Sequence, residues 1–347
     1  MGVLLALRTN MVSSIHEIDV EEWDRLSEMR PFQSHRWYTF GEEIMADCLP
    51  TYLLVYNENE LVARAAFWLI KNEPLPDLQP ALRTLVMFFL KRWPLFICRS
   101  PLSNATGLII AKGIPRAPVL SALCQSGIQE AISKQASFVV FDYLEENETN
   151  NWPELFSVVQ VSDPEAVMSN HWESLYAFLS EGNKKDRQHY KRTVRETEKL
   201  GIQLERYRQI PDVESALQLI HNVDKRYGNT PNPWMRNLLL QMNKIGGTWL
   251  EARLGGRLVG GGLILEDNRT QMTTALGLAE DVPFVYFRLL YECLEIGFEK
   301  NVALIRWGSG AYEVKKRLGS KLKFTNNAVF APTNRFIGKV VKIILSK

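Results

Sequence analysis

Two stretches of this sequence, 197 residues apart, repeat one local design. Residues 51–68 read TYLLVYNENELVARAAFW and residues 248–265 read TWLEARLGGRLVGGGLIL. With Thr51 set against Thr248, Tyr52 meets Trp249, Leu53 meets Leu250, Leu61 meets Leu258 and Val62 meets Val259, without a gap. Each stretch is an apolar run, a turn of Asn and Glu or of two glycines, and a second apolar run, which is the pattern of a β-hairpin. Further on, each is followed by a helix-like run and a buried strand, SFVVFDYL at 137–144 and VALIRWGS at 302–309. Two hairpin–helix–strand units predict two related α/β halves, and a cleft between them.

A chain of 347 residues is long enough for two domains. With 46% hydrophobic and 23% charged residues it can bury substantial cores. The net charge of +2 excludes a global polyelectrolyte partner, so any nucleic-acid contact must come from a local patch. Cys48, Cys98, Cys124 and Cys293 stand singly in apolar stretches and the five histidines are scattered, which suggests neither a zinc site nor a disulfide framework. Buried free thiols in a reducing compartment, and no metal, are expected. The run Val3 to Leu7 is too short for a secretory signal. Lys91 and Arg92 interrupt the apolar run Leu85 to Leu90 well short of the ~20 residues a membrane span needs. A cytoplasmic protein is expected.

Along the chain, the spacing in DVEEWDRL around Trp23 and in FQSHRWYTF predicts two helices within 16–48, followed by the hairpin. An apolar-basic segment occupies 81–93, short strands flank the SPLSNATG turn, Pro118 opens a helix to about Gln135, and Phe138–Tyr143 is a strand. The acidic, Asn-rich stretch Glu145–Asn151 lacks periodicity and marks the boundary between domains at 1–150 and 151–347. The second half predicts a strand near 156–161, helices over 172–179 and 182–200, and a strand at 202–207. Helices at 212–227 and 233–245 precede the second hairpin, a strand at 270–278, a helix from Pro283 to about Lys300, and the strand Ala303–Trp307. A basic helix around 312–319, a last strand and a helical tail over 335–347 complete the chain.

The clearest charge constellation is GNKKDRQHYKRTVRETEKLG, 182–201. Lys184, Arg187, Lys191 and Arg195 fall on one face of a helix. Tyr190, Val194 and Thr197 form only a thin apolar seam. Such a face suits a phosphate-bearing ligand, although a solvated helix surface has the same pattern. In AKGIPRAP, 111–118, Lys112 and Arg116 flank a helix start, where exposed N–H groups favour an anion. The equivalent loop of the second copy, AEDVPF at 279–284, carries Glu280 and Asp281, which cap a helix but repel phosphate. Neither loop has a nucleotide fingerprint.

A third constellation, RWGSGAYEVKKRLGSKLKF at 306–324, ends a buried strand at Trp307 and turns through Gly308, Ser309 and Gly310, which permits close approach of backbone to a ligand. Tyr312 is a candidate proton donor and Lys315 a candidate clamp on an anionic substrate. Ordinary turn glycines and surface lysines are the alternative. Ser309 is not in a GxSxG elbow. The tail RFIGKVVKIILSK is amphipathic and basic, a pattern that either covers a core or lies on an anionic membrane surface.

These segments resemble the Fem-type and CelD-like proteins. SNHWESLYAFLSEGNKKDRQHYKRTVRETEKLGI (169–202) is similar to that family's Trp-containing helix followed by a Lys/Arg-rich helix and a glycine. FQSHRWYTF (32–40) resembles its Phe-x-Gln-Ser run before a Trp, and IRWGSGAYEVKKRLG (305–319) its strand–Gly–Lys–x-x-aromatic-Gly ending, with Lys315, Leu318 and Gly319 on the matching positions. The resemblance covers about residues 20–330 and departs from the pattern at Arg306, where an acidic residue is common, and at Val314, where Tyr is usual.

The resemblance implies an α/β (α+β) fold of two GNAT-like (acetyltransferase-fold) domains, each a mixed central sheet flanked by helices. It implies acyl or aminoacyl transfer to an amine of a cell-envelope precursor, in peptidoglycan or exopolysaccharide synthesis. The oxyanion would be held by strand N–H groups near Thr273–Gly277. The donor is aminoacyl-tRNA or an acyl-CoA; the absence of a pyrophosphate loop and the basic helix favour aminoacyl-tRNA, hence tRNA as a partner. The acceptor would be a lipid- or nucleotide-linked sugar or peptide, handled by a cytoplasmic protein that is peripheral at the inner membrane face if its tail lies on a membrane and does not cover a core. A degenerate GNAT-like protein that binds such precursors without transferring is the rival reading.

Overall fold

The computed structural model describes residues 7–73, 80–160, 164–324 and 326–334. They form two compact units, one holding the residues up to 160 and those from Phe324 onward, the other Pro164–Lys323.

The first unit opens with β1 (Leu7–Val12), which its mostly exposed polar residues do not announce. It forms because β2 (Pro50–Asn57) offers it an edge, in register from Leu7↔Asn57 to Val12↔Tyr52. Between them lie α1 (Val20–Ser27) and α2 (His35–Ile44), capped by Asp19 accepting from Glu22 N and Ser34 accepting from Trp37 N. Next come β3 (Glu60–Ile70), α3 (Pro80–Arg92), β4 (Leu95–Cys98), β5 (Leu108–Ile110), α4 (Arg116–Ser133), β6 (Phe138–Leu144) and β7 (Ser157–Gln160). Pro118 sits in the first turn of α4, where a missing N–H costs nothing.

The second unit holds β8 (Glu165–Ser169), α5 (Leu175–Glu181), α6 (Lys184–Lys199), β9 (Ile202–Tyr207), α7 (Val213–Tyr227) and α8 (Met235–Gln241). It continues through β10 (Thr248–Leu254), β11 (Arg257–Asp267), β12 (Thr270–Leu278), α9 (Val285–Glu299), β13 (Leu304–Arg306), α10 (Tyr312–Arg317) and β14 (Lys321–Lys323). The chain then returns to the first unit as β15 (Asn327–Pro332).

Each unit is built on one mixed sheet, in the order β1-β2-β3-β4-β6-β15-β7 with β5 beside β3, and β14-β8-β13-β12-β11-β10-β9. The two hairpins share more than composition. Thr51 pairs with Phe67 and Thr248 with Ile264, partners 197 residues apart, and the register shifts between Val55 and Tyr56 in one and between Ala252 and Arg253 in the other. A bulge repeated at the same step of both hairpins is a detailed correspondence that two unrelated hairpins would not share. In both units a helix then crosses over to a parallel strand, α4 between β4 and β6 and α9 between β12 and β13.

The expected boundary at 150, with everything after it in the second domain, differs from this arrangement. β7 and β15 both lie in the first sheet, since Val329 and Ala331 alternate into its core and β15 fills the place between β6 and β7. The four cysteines are buried and free, in the two apolar cores or their margins. The expected tail helix over 335–347 lies outside the described residues.

Candidate functional site

β12 and β13 run in parallel only from Thr270↔Leu304 to Met272↔Arg306. Beyond that pair they part, and the edge of β12 from Thr273 onward has no strand partner on this side among the described residues. At the same level the β11–β12 register shifts, Leu263 facing Ala275 and Ile264 facing Thr273, so Thr274 is the extra residue of a bulge. A bulge re-aims the strand and its peptide groups. On the other side of the gap the chain leaves β13 through Trp307 and turns with positive φ at Gly308 (69°), Gly310 (77°) and Ala311 (48°). A Cβ at Gly308 or Gly310 would meet nothing within 4 Å, so this turn faces open space. Thr274 Oγ1 and Trp307 Nε1, on the two segments that part, are buried without a hydrogen-bond partner.

The turn is braced from beneath. Lys315 is buried, and its Nζ donates to the carbonyls of Trp307 (3.0 Å), Gly308 (3.2 Å) and Ser309 (2.7 Å). Burial pulls this lysine down to about 8. Tyr312 Oη donates to Pro164 O at 3.0 Å. Arg306, one of the two residues that depart from the family pattern, makes a buried two-pronged pair with Glu165 of β8, Nε to Oε1 at 2.8 Å and Nη2 to Oε2 at 2.7 Å. The acidic partner therefore comes from the neighbouring strand β8, which the pattern of its five residues does not announce.

The other candidate residues are distributed differently. On α6, Lys184 and Lys191 are exposed, whereas Arg187 turns back and donates to the carbonyls of Leu179, Ser180 and Gly182 at the end of α5. Tyr190 packs edge-on against Tyr291 of α9 at 4.9 Å, and this contact positions the helix. Lys112 pairs with Glu28 at 2.9 Å, and Arg116 donates to Glu148 O at 2.8 Å, so the start of α4 does not gather both cations around one anion. Before α9, Asp281 pairs with Arg257 and Glu280 lies 4.0 Å from Arg226; contrary to expectation, no side chain caps this helix.

The same gap exists in the first unit with a different filling. Phe67 pairs with Cys98 as Ile264 does with Thr273, which sets Arg99 in the place of Thr274 and Asp142 in the place of Gly308. Arg99 Nη2 meets Asp142 Oδ2 at 2.6 Å and Nη1 meets Glu73 Oε1 at 2.9 Å, so an ion cluster bridges the strands. Burial pushes the Glu73 carboxyl up from its ordinary value, with Arg99 opposing the shift and the Asp142 carboxylate adding to it. The loop following Arg99 is held by the FQSHRW motif. Ser100 Oγ donates to Phe32 O (2.5 Å), Gln33 Nε2 to Thr106 O (2.7 Å) and Trp37 Nε1 to Pro101 O (2.8 Å).

Two mixed α/β units repeating one hairpin–crossover plan, each with strands parting beside the crossover helix, define a tandem GNAT-fold protein. The chain belongs to the FemAB-like family, described as peptidoglycan biosynthesis/recognition, whose model matches residues 14–336. Its fold is similar to that of FemX (TM-score 0.62, 11% identity, over 92% of this chain and 96% of that one). It also resembles a tandem GNAT protein from the clavulanic acid biosynthesis pathway (0.56, 12%, over 94% and 99%) and L-PGS from Bacillus licheniformis (0.52, 12%, over 96% and 97%). No curated protein matches the sequence. No helix among the described residues is long and apolar enough to cross a membrane.

Proposed function

We propose that this protein is an acyltransferase acting on an amine of a lipid- or nucleotide-linked cell-envelope precursor, with aminoacyl-tRNA as donor in preference to acyl-CoA. The observation that carries this reading is the bulged, unpaired edge of β12 facing the open glycine turn of Gly308 and Gly310. A donor carbonyl lying in that gap would meet main-chain N–H groups of Thr273–Gly277, which suit a developing oxyanion. The amine nitrogen bonds to the carbonyl carbon, the ester C–O bond to the tRNA ribose breaks, and the proton lost by the amine ends on the departing oxygen. Membership of the FemAB-like family supports a peptidoglycan precursor as acceptor, with an exopolysaccharide precursor as the alternative. Glu280 and Asp281 before α9 make that loop a poor cradle for the pyrophosphate of a CoA, and exposed Lys184 and Lys191 on α6 suit a polyanion.

Lys315 and Tyr312 act in this reading as positioning residues for the 307–309 turn and its entry from β8, since both donate to main-chain oxygens. The rival, a fold that binds precursors without transferring, draws on that same engagement. Purified protein should be offered labelled aminoacyl-tRNA or acyl-CoA with lipid-linked and nucleotide-linked muropeptides and amino sugars. Transfer from aminoacyl-tRNA is expected; transfer from acyl-CoA alone overturns the donor, and precursor binding without transfer from any donor favours the rival. Lys315→Ala should lower kcat more than it changes KM, by roughly ten- to a hundredfold. Lys321→Ala, at an exposed site of β14, should do little. Equal turnover of the two variants would remove the turn from the site.

A further inference from the structure

The link from β11 to β12 is only Asn268 and Arg269, whereas the corresponding link from β3 to β4 carries α3. On α3, Leu90 is buried against the unit, but Phe88 is 71% exposed, Phe89 46% and Trp93, just past its end, 41%. Phe89 and Trp93 stack with centroids 5.7 Å apart, giving one aromatic ledge facing solvent. Lys91 and Arg92 close the last turn, with the Arg92 guanidinium 5.6 Å from the Trp93 ring.

Charge decides what this face fits. Between Asp77 and Glu130 the sequence has no carboxylate, while it carries Arg83, Lys91, Arg92, Arg99, Lys112 and Arg116. Arg99 is held by Glu73 and Asp142, Lys112 by Glu28 and Arg116 by Glu148 O, while Arg92 donates to the neutral Gln135 side chain at 3.2 Å, which leaves the charges of Lys91 and Arg92 beside the aromatic ledge. Exposed rings next to cations, with no acidic residue on the element, are complementary to an interface that offers hydrocarbon and anionic headgroups together. With 13 residues at ~1.5 Å each, α3 is too short for a ~30 Å hydrocarbon core, so it would lie on a membrane and not cross it.

We propose that α3 docks the protein on an anionic phospholipid surface, with Phe88, Phe89 and Trp93 entering the interface and Lys91 and Arg92 on headgroup phosphates. This does not depend on the acyl-transfer reading, because vesicle binding is measured without donor or acceptor. The full chain should be sedimented with phosphatidylcholine vesicles containing or lacking roughly 30% phosphatidylglycerol. Wild type should pellet with the anionic vesicles only, and less as salt is raised. The double change Phe88→Ser with Phe89→Ser, and separately Lys91→Glu, should each weaken partitioning about tenfold or more. Melting temperatures should hold, since these side chains face solvent. Every arm retains the carboxy-terminal segment, so its contribution cancels. Failure of wild type to pellet, or variants that partition like wild type, would overturn the proposal. So would a concentration-dependent dimer in sedimentation velocity that Phe88→Ser abolishes, because a second copy would then cover the ledge.

Discussion

Arg64 and Gly261 occupy the same place in the two hairpins, and their neighbourhoods show how one backbone accepts opposite residues. Arg64 is fully buried, its guanidinium 3.3 Å from the Trp23 ring centroid, and Nη2 donates to Ser27 Oγ and Gln33 O. Burial lowers it to about 10. At Gly261 a Cβ would lie 2.3 Å from Cζ2 of Trp249, so the indole fills the room an arginine uses in the first unit. Gly261→Ala should therefore cost about 1–3 kcal/mol, read as a lower denaturant midpoint; an unchanged midpoint would show that Trp249 moves aside freely. Lys315 makes a pH-dependent prediction. Its pKa is about 8 in the fold against 10.5 for an ordinary lysine. Between those values the unfolded chain holds the proton and the folded chain does not, so stability gains with rising pH; below about 8 the cost of the buried charge is fully present. Wild type should thus gain on Lys315→Met between about pH 8 and 10. Parallel stability curves for the two proteins would contradict this.

At the scale of elements, the short strand β13 depends on what flanks it. It has three residues, and its Arg306 is satisfied by Glu165 from β8, which pairs antiparallel beside it. Removing one partner leaves a buried charge, so Glu165→Ala or Arg306→Ala should cost about 3–5 kcal/mol in urea unfolding. Glu165→Leu combined with Arg306→Leu should cost much less, because no charge is then stranded. A single variant as stable as wild type would mean that the pair is solvated in practice. The contrast with the first unit is also one of elements. Arg99 and Asp142 bridge the strands there, whereas the second unit has Thr274 and Gly308 at the same steps and leaves its gap open.

For the whole molecule, the notable fact is that β15, which follows the second unit in sequence, belongs to the same sheet as β1. β15 lies between β6 and β7, paired with both from Asn327 onward. A chain stopped after Lys323 would leave β6 without that neighbour and β7 without a sheet. In limited proteolysis its first unit should be cut quickly while 164–323 resists, and a chain stopped after Asn334 should resist throughout. Equal resistance of both truncations would mean that β15 contributes little.

Periodicity and pairing in the sequence determined the duplication, because a hairpin's register is set by its own turn and apolar pattern. The strands at 202–207 and 270–278 were legible for the same reason, alternation against local turn residues. β1 and β8 were not: one is polar and exposed, the other short, and each is a strand only because a distant edge accepts its hydrogen bonds. The candidate site divides likewise. Its glycines, Tyr312 and Lys315 stand out in a linear reading as a turn followed by a basic helix. That Lys315 and Tyr312 donate to main-chain oxygens, that Arg187 folds back on α5, and that Arg306 finds its acid in β8 depend on where the sheet brings remote segments together. A side chain's type follows from sequence, but its partner follows from packing. Chemistry at a site depends on the partner.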